Sequence, residues 1–248
     1  MMASELLVVD LGTLPYADAL ELQRDVARRR IAGEIGEDVL LLMEHPPVVT
    51  LGRTAKTANL IASPDFLASR GVELFEVERG GDITFHGPGQ LVGYPIIDLK
   101  RHRKDLHWYL RQVEAALIET LAEFDIRADR VAKYTGVWVD GSRKIASIGV
   151  HARDWVTWHG FALNVNTDLR YFDLIVPCGI AGVTMTSVAQ ELHEGSHPMP
   201  TVVRGVTNAF GRVFELEPRS VALAELREPA GLADADTKGA LIHYPTGT

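Results

Sequence analysis

The stretch YTGVWVDGSRKIASIGVHARDWVTWHGFALNV, residues 134–165, indicates the fold class more clearly than any other part of the chain. Segments 134–139, 144–151 and 158–165 are rich in valine, isoleucine, tryptophan and phenylalanine, which favour β-strands. An Asp-Gly pair at 140–141 separates the first two segments and is typical of the tight turn of a β-hairpin. We therefore expect neighbouring antiparallel strands in this stretch.

Helices are predicted on both sides of these strands. Upstream, apolar residues recur at steps of three and four over 106–124, which predicts a helix with one stripe buried in the core. The stripe consists of Leu106, Leu110, Val113, Leu117, Leu121 and Phe124. Downstream, the same periodicity predicts a helix over 200–216. Its inward-facing residues are Val203, Val206, Phe210 and Val213.

The beginning of the chain alternates between strand and helix patterns. Thr13 is predicted to cap a helix that has Pro15 in its first turn and ends at Ala32. The residues of this helix expected in the core are Leu20, Val26 and Ile31. Further strands are predicted over 6–11, 38–43, 48–51, 72–77 and 91–99, with a Pro-Pro pair at 46–47 separating the second from the third.

This mixture of elements predicts an α+β fold with a mixed, largely antiparallel sheet packed with helices. One domain is expected over residues 1–227, with the helix at about 200–216 in a small lobe. The pattern weakens after that, and a loosely held tail is expected over 228–248.

The composition excludes several classes of protein. The 248 residues include 25 lysines and arginines against 33 aspartates and glutamates, a net charge of −8, which argues against a broad nucleic-acid-binding surface. Cys178 is the only cysteine, which excludes an intrachain disulfide and a zinc site built on several thiolates. Apolar runs are far shorter than the ~20 residues of a membrane helix, and no signal-peptide pattern opens the sequence. We expect a soluble, cytoplasmic protein that binds neither nucleic acid nor membrane.

Three segments match known motifs only in part. Residues 193–197 read HEGSH, but glycine, serine and the following Pro198 disfavour the helix that a zinc-binding HExxH pair requires, so a polar surface loop is predicted. Residues 52–57 lack the glycines of a phosphate-binding loop. Residues 87–93 have one residue too many for a dinucleotide-binding loop. These segments therefore support neither a metal site nor a nucleotide site.

The segment RGGDITFHGPGQ, residues 79–90, places charged and polar side chains between glycines. Glycine lets the backbone approach a ligand closely or adopt a positive φ angle. Such a segment is compatible with a tight loop between strands and with the wall of a binding site. The interleaved polar residues favour the binding wall.

Cys178 lies between Pro177 and Gly179, a setting that predicts a turn. A lone cysteine is most often a small buried apolar residue, but a thiol presented on a turn is also able to attack a carbonyl carbon. An ordinary thiol, with a pKa of about 8.5, is only a few per cent ionised at pH 7, so such a nucleophile needs a base or a cation nearby. The candidates for that partner, among which the sequence does not choose, are Lys144, His86, His151 and His159.

Four motifs follow one another along the chain. They are RGGDITFHGPGQ at 79–90, RKIASIGV at 143–150, HGFALNV at 159–165, and PCGI at 177–180 followed by TSV at 186–188. Their residues, order and spacing resemble the lipoyl(octanoyl) transferase family, and the resemblance extends over residues 6–216. It implies a fold similar to the catalytic domain of biotin protein ligases and lipoate ligases, so that residues 1–227 would form a single catalytic domain.

The resemblance also implies a reaction. Members of this family transfer an octanoyl group from octanoyl-acyl carrier protein to a lysine of a lipoyl domain, the first step of endogenous protein lipoylation. The expected acceptors are lipoyl domains of 2-oxoacid dehydrogenase complexes and the glycine cleavage H protein. No cofactor and no metal are implied, which agrees with the incomplete nucleotide motifs because a thioester donor is already activated.

By the same resemblance, Cys178 carries the octanoyl group as a thioester and Lys144 activates it, either as a neutral base or as the charged partner of a thiolate. The residues expected to line the acyl pocket are Arg79, Gly80, Gly81, Asp82, Ile83, Thr84, Phe85, His86, Ser147, Ile148, Gly149, Gly160, Phe161 and Ala162. Phe85 departs from the tyrosine expected in many relatives, which would remove a hydroxyl group from the pocket. Asp82 is expected to change little.

Partners and alternatives follow from the charge pattern and from the fold group. The basic clusters at 28–30 and 101–104 are either docking sites for acidic partner proteins or solvated faces. Three other functions are compatible with the residues. They are an ATP-dependent lipoate ligase, a non-catalytic scaffold in which Cys178 is merely buried, and a cysteine hydrolase that releases free octanoate.

Overall fold

The computed structural model describes residues 4–180 and 182–227. The tail predicted over 228–248 lies outside the described residues, so the division of the chain at residue 227 remains a prediction. Among the described residues, no helix is both long and apolar enough to cross a membrane.

Helices are interspersed among groups of consecutive strands along the chain, and the elements include those that the sequence predicts. The helices are α1 (Tyr16–Ala32), α2 (Pro64–Ser69), α3 (Leu106–Ala122), α4 (Val188–Glu191), α5 (Met199–Phe214) and α6 (Leu223–Arg227). The first strands are β1 (Glu5–Thr13), β2 (Asp38–Glu44), β3 (Val48–Leu51), β4 (Glu73–Glu76), β5 (Ile83–His86) and β6 (Gln90–Ile96). The later strands are β7 (Ala128–Val131), β8 (Tyr134–Val139), β9 (Arg143–Arg153), β10 (Val156–Asn164), β11 (Thr184–Met185) and β12 (Glu217–Ser220).

The strands form two sheets. The larger sheet has the order β12-β1-β2-β6-β10-β9-β8-β7, with β11 added beside β9, and the smaller sheet has the order β4-β3-β5. In the larger sheet β1 runs parallel to β2 and β12, and β11 runs parallel to β9. Each neighbouring pair in the remaining order β2-β6-β10-β9-β8-β7 is antiparallel. The predicted α+β class with a mixed, largely antiparallel sheet is confirmed.

Local chemistry explains two of the connections. Asp140 and Gly141 have φ angles of 49° and 65°, which is the left-handed pair that a tight β8–β9 hairpin requires and that this dipeptide favours. The Pro-Pro pair at 46–47 ends β2, and the chain then continues as β3 in the smaller sheet.

Helices cover both faces of the larger sheet. On one face, α3 and α5 bury Val113, Leu117, Val206 and Phe210 in the larger core cluster. On the other face, α1 contributes Val26 to a second cluster. The helix predicted over 200–216 is α5, and its apolar side lies in the main core rather than in a small lobe with a core of its own, because it packs directly against α3.

Two expectations about helices are wrong in detail. Thr13 does not cap α1, because β1 continues through Thr13 and Pro15 precedes the first turn of the helix. Leu106 and Leu110 do not belong to the buried stripe of α3: Leu106 is 39% exposed, and both side chains line a pocket beside the sheet. Tyr109 and Ala116 are buried on the core side of the helix.

Candidate active site

Cys178 lies at the centre of a tight turn, residues 177–179, as the flanking proline and glycine predict. Its φ and ψ angles are 56° and 17°, the left-handed region that residues with a side chain rarely adopt. A conformation of this kind persists only where neighbouring structure holds it, and it is frequent at functional sites. The turn leaves the cysteine partly exposed at a pocket wall.

Lys144 meets the thiol at hydrogen-bond distance. Its Nζ lies 3.1 Å from Cys178 Sγ and donates to the carbonyl of Thr135 at 3.2 Å. The side chain is only 1% exposed, and its ammonium also lies 5.2 Å from the ring centroid of Trp138. Among the residues that the structure describes, Lys144 forms no ion pair with a carboxylate, so the sulfur is the neighbour able to carry a balancing negative charge.

The backbone of β9 explains why Lys144 points towards the cysteine. The pairing of β8 with β9 shifts by one residue at Ile145, which is a β-bulge, and Ile145 and Ala146 both lie in the core cluster. Lys144 is thereby turned away from that core. Gly136, with φ of 129°, lets the side chain pass, because a Cβ atom there would lie 2.8 Å from Lys144 Cε.

The turn of Cys178 opens into a pocket of about 450 Å³, within the range of small-molecule sites. Twelve of the residues predicted to line an acyl pocket do line it: Arg79, Gly80, Gly81, Asp82, Thr84, His86, Ser147, Ile148, Gly149, Gly160, Phe161 and Ala162. Of these residues, Ser147 interacts with the thiol: its Oγ lies 3.8 Å from Sγ.

Ile83 and Phe85 do not line the pocket, so their prediction is wrong. Side chains alternate along a strand, and β5 turns Thr84 and His86 to the pocket and the other two residues to an apolar cluster on its opposite face. Phe85 stacks on Tyr171 at 4.6 Å between ring centroids. The phenylalanine at this position therefore removes no hydroxyl group from the pocket.

The histidines considered as partners of the cysteine are engaged elsewhere. His86 shares a hydrogen bond of 2.8 Å with Gln90, and burial, together with the neighbouring His45, lowers its pKa to about 3. Burial also lowers the pKa of His159, despite its contact with Glu78. His151 shares a hydrogen bond with the Glu78 carbonyl. Within the described residues, the side chains at hydrogen-bond distance from Sγ are Lys144 and Ser147.

Arg79 holds the glycine-rich wall together from inside. It is 7% exposed, and its guanidinium donates to the Thr50 side chain and carbonyl and to the Gly80 carbonyl, with no carboxylate partner among the described residues. A Cβ atom on Gly52 would lie 2.7 Å from its Nη1, and one on Gly149 would lie 2.8 Å from the Gly80 carbonyl oxygen and 3.3 Å from the Arg79 Cδ. These glycines are therefore needed to seat the cation, and its desolvation lowers its pKa.

Glu78 anchors the same wall to α1 and β10. It accepts hydrogen bonds from Arg24 at 2.5 and 2.8 Å and from Trp158 at 2.9 Å, and His159 Nε2 lies 3.6 Å away. Burial alone would raise the pKa of Glu78, but its contacts with His159, Arg24 and Trp158 outweigh it and hold the pKa far below its usual range. The ionised carboxylate therefore stabilises the fold.

Replacing Glu78 with glutamine should lower the free energy of unfolding at pH 7 by about 1–2 kcal/mol, a modest value because its side chain is 25% exposed. The folded pKa is depressed, so the contribution is complete above the unfolded-state pKa of about 4.3, begins to decline below it, and is fully lost only as the pH falls through the much lower folded pKa. Urea unfolding of both proteins at pH 7 and pH 4 measures this. The difference should shrink at pH 4, and an equal difference at both values would contradict the assignment; Glu21→Gln, on the exposed side of α1, is the control.

Comparison with known proteins identifies the family to which this chain belongs. The family model described as "Lipoyl protein ligase A/B catalytic domain" matches residues 15–211. This chain belongs to that family. The match contains the turn of Cys178, Lys144 and the glycine-rich wall.

Curated relatives narrow the class further. An octanoyltransferase of Acidobacterium capsulatum is 52% identical over 220 residues, which cover 84% of this chain and 89% of the relative. An octanoyltransferase of Rubrobacter xylanophilus is 52% identical over 205 residues, covering 82% of this chain and 90% of the relative. The resemblance to the lipoyl(octanoyl) transferase family and the predicted enzyme class, an acyltransferase, are confirmed.

Solved structures support the fold. A lipoate-protein ligase A bound with ATP has a TM-score of 0.71 at 18% identity, covering 91% of both chains. A bi-partite lipoate protein ligase of the archaeon Thermoplasma acidophilum has a TM-score of 0.70 at 18% identity, covering 91% of this chain and 89% of that one. The fold expected for the lipoate ligase group is thus confirmed.

Several pocket residues of this family member escaped the sequence analysis. They are Tyr16, Val92, Tyr94, Leu106, Leu110, Lys133, Tyr134, Thr135, Val150, Gly179 and Ile180. Leu106 is the one whose position in the sequence indicates a role outside the core, because an apolar residue at the first position of a helix usually lies beyond the core. Val150, Gly179 and Ile180 belong to the motifs at 143–150 and 177–180, but the resemblance does not assign them to the pocket. The remaining residues lie outside the four motifs.

The structure shows the surroundings of the two basic clusters and of the HEGSH segment. Arg30 is 5% exposed and lies 3.1 Å from Asp38, so residues 28–30 do not form one solvated basic face. In the second cluster His102 contacts Asp38 at 2.7 Å and Arg103 pairs with Asp105. Residues 193–197 follow the end of α4 as a loop, in agreement with the predicted surface loop.

Proposed function

We propose that this acyltransferase moves an octanoyl group from octanoyl-acyl carrier protein to a lysine of a lipoyl domain, through a thioester on Cys178. The observation that carries the proposal is the 3.1 Å contact of Lys144 Nζ with Cys178 Sγ at the wall of the pocket. A buried amine beside a thiol favours the thiolate, which is the nucleophilic form. The octanoyltransferase relatives support the choice of acyl group.

In the first half-reaction the Cys178 thiolate attacks the carbonyl carbon of the donor thioester. The tetrahedral intermediate collapses with cleavage of the bond to the carrier sulfur, and the Lys144 ammonium gives its proton to that sulfur. The products are octanoyl-Cys178, a free carrier thiol and a neutral Lys144. Exchange of one thioester for another is close to isoenergetic, so this step requires no nucleotide.

In the second half-reaction the neutral amine of the acceptor lysine attacks the Cys178 thioester. Neutral Lys144 takes the proton from the attacking nitrogen, and the Cys178 thiolate leaves as the amide forms. The thiolate and the ammonium are thereby restored together. A lysine beside the sulfur thus serves both half-reactions, once as an acid and once as a base.

The pocket beside the dyad supplies an apolar surface for the acyl chain. Leu110, Ile148, Phe161 and Ala162 line it together with the glycines of the wall. Burying an aliphatic chain there contributes about 0.8 kcal/mol per methylene group, which favours a medium-length chain over a short one.

The direct experiment mixes the protein with octanoyl-acyl carrier protein and measures its intact mass. We expect one octanoyl adduct that maps to Cys178 and disappears when an apo lipoyl domain is added, as the domain gains an octanoyl amide. Octanoylation of the lipoyl domain that requires octanoate, ATP and magnesium, with no adduct on the enzyme, would support an ATP-dependent ligase instead. Release of free octanoate with no acceptor would support a hydrolase, and the absence of any adduct would support a scaffold.

Replacing Leu110 with tryptophan should lower kcat/KM for an octanoyl thioester by about tenfold or more, because the larger ring fills space meant for the chain. Leu110 lines the pocket rather than the core, so the fold should tolerate the change. A butanoyl thioester, which reaches less deeply, is the control substrate and should lose less activity. Equal losses for both thioesters would place the acyl chain elsewhere.

A further inference from the structure

The Cys178 turn is connected to the glycine-rich wall by a bridge of two polar side chains. Asn59 Nδ2 donates to Asp82 Oδ2 at 2.6 Å, and the Asn59 carbonyl accepts a hydrogen bond of 2.7 Å from the amide of Val176, two residues before Cys178. Asp82 stands in the wall, and Asn59 ends a short helical turn, residues 57–59, on the other side of the thiol turn.

The carboxylate of Asp82 uses both of its oxygens. Oδ1 accepts from the amides of Ile83 at 2.8 Å and Lys56 at 3.3 Å, whereas Oδ2 takes the Asn59 amide group. Oδ2 also occupies the space beside Gly179 where a side chain would lie, because a Cβ atom there would be 2.6 Å from it. The carboxylate therefore fits against the residue that follows the nucleophile.

The conformation of Cys178 makes such a support necessary. A left-handed φ of 56° in a residue with a side chain costs free energy, and the hydrogen bonds within the turn, Gly179 amide to Val176 carbonyl and Ile180 amide to Pro177 carbonyl, close the turn without tying it to the pocket. The contacts of Asp82 and Asn59 tie it to the wall.

We infer that Asp82 and Asn59 are positioning residues, which hold the Cys178 turn in register with Lys144 and the pocket. The inference rests on the proposed function for its consequence, but its geometry concerns the thiol alone. Neither residue touches the sulfur, so both act through the backbone of the turn. Asp82 was expected to change little, and the structure instead gives it four polar or close contacts.

The chemistry of the pair provides a specific test. In Asp82→Asn, the Asn59 amide group can turn over and offer its oxygen to the new amide, so this variant removes the charge but keeps the bridge, whereas Asp82→Ala removes the acceptor itself. In Asn59→Asp, two carboxylates face each other. The double variant D82N/N59D exchanges donor and acceptor, so that every partner is satisfied again and the net charge equals that of the parent protein.

The readout is the rate of alkylation of Cys178 by iodoacetamide as a function of pH. It is unambiguous because the chain has a single cysteine, and it requires no octanoyl donor. We expect the plateau rate at high pH to fall about tenfold in D82A and in N59D, to stay within about twofold of the parent in D82N, and to return to within about twofold of the parent in the double variant. Octanoyl-enzyme formation should follow the same pattern.

A purely electrostatic role of Asp82 would change the alkylation rate in the opposite direction. Removing a negative charge near the thiolate would favour ionisation, so D82A would react faster at pH 7 with an unchanged plateau, and this outcome would overturn the inference. So would a double variant no faster than N59D. Asn59→Ala, which removes the bridge without opposing two carboxylates, should also lower the plateau, and Asp173→Asn, an exposed carboxylate just before the turn, should not. Circular dichroism melts verify that each variant is folded.

The two proposals fail separately. If the alkylation pattern holds but no variant or parent protein accepts an octanoyl group, the positioning role stands and the proposed reaction is wrong. If the parent forms octanoyl-Cys178 and the alkylation plateau is the same in all variants, the reaction stands and the bridge has no role in it.

Discussion

Replacing Cys178 with serine should abolish the octanoyl-enzyme and lower octanoyl transfer by at least about a thousandfold. A serine hydroxyl keeps the size and polarity of the side chain, but it is not ionised by an amine at neutral pH. The serine variant should therefore retain the turn and place its hydroxyl beside Lys144 Nζ, which lies 3.1 Å from Sγ in the parent, while losing the thiolate nucleophile. Intact mass spectrometry after mixing with octanoyl-acyl carrier protein measures the first effect, and gain of mass by an apo lipoyl domain measures the second.

The thioester has its own chemical signature. Neutral hydroxylamine should remove the octanoyl group from the parent enzyme, because it cleaves thioesters faster than esters or amides. An octanoyl adduct on the serine variant, formed at a rate near that of the parent and resistant to hydroxylamine, would show that another residue accepts the group. Transfer at the parent rate by the serine variant without any adduct would indicate direct attack by the acceptor lysine.

The parts of this site that local sequence determines were predictable. Pro177 and Gly179 restrict the backbone on either side of Cys178, so a turn could be expected without knowing what surrounds it. The hairpin at 140–141 is equally local, since Asp-Gly readily supplies two left-handed residues. Strong alternation and helical periodicity likewise placed most strands and the long helices.

The choice of partner for the cysteine could not be derived from local sequence. The residues alone offered a lysine and three histidines, and the resemblance selected Lys144. What brings Lys144 to the sulfur is the bulge at Ile145 together with the space above Gly136, and both depend on the pairing of β8 with β9. A bulge of one residue changes the face of the sheet on which a side chain lies, and the sequence of a single strand does not predict where a bulge occurs.

The pocket illustrates two different errors. A motif taken as one block predicts pocket positions for Ile83 and Phe85, although alternation along β5 places them on the opposite face. Helical periodicity predicts core positions for Leu106 and Leu110, because it identifies an apolar stripe but does not distinguish a core from a cavity beneath it.

Replacing Lys144 with methionine should slow formation of octanoyl-Cys178 by about a hundredfold at pH 7, and the deficit should become smaller as the pH rises. Methionine fills the space beside Trp138 but has no charge and no proton to exchange. The thiol must then ionise without its amine neighbour. An ordinary thiol has a pKa of about 8.5, so the thiolate is scarce below that pH and abundant above it. The deficit should accordingly be largest below pH 8.5.

The pH profile separates this role from simple damage to the fold. Stopped-flow or quenched mass measurements with a small octanoyl thioester, taken from pH 6.5 to 9.5, avoid any effect on protein docking. Lys100→Ala removes a positive charge from a side chain that is 40% exposed and pairs with Asp98, so it should leave the profile unchanged. A deficit that is the same at every pH would assign Lys144 a packing role. An unaltered rate at pH 7 would remove it from the mechanism, and the thiolate would then have to be balanced by another cation of the pocket wall. Arg79 is the buried candidate, because its guanidinium has no carboxylate partner among the described residues.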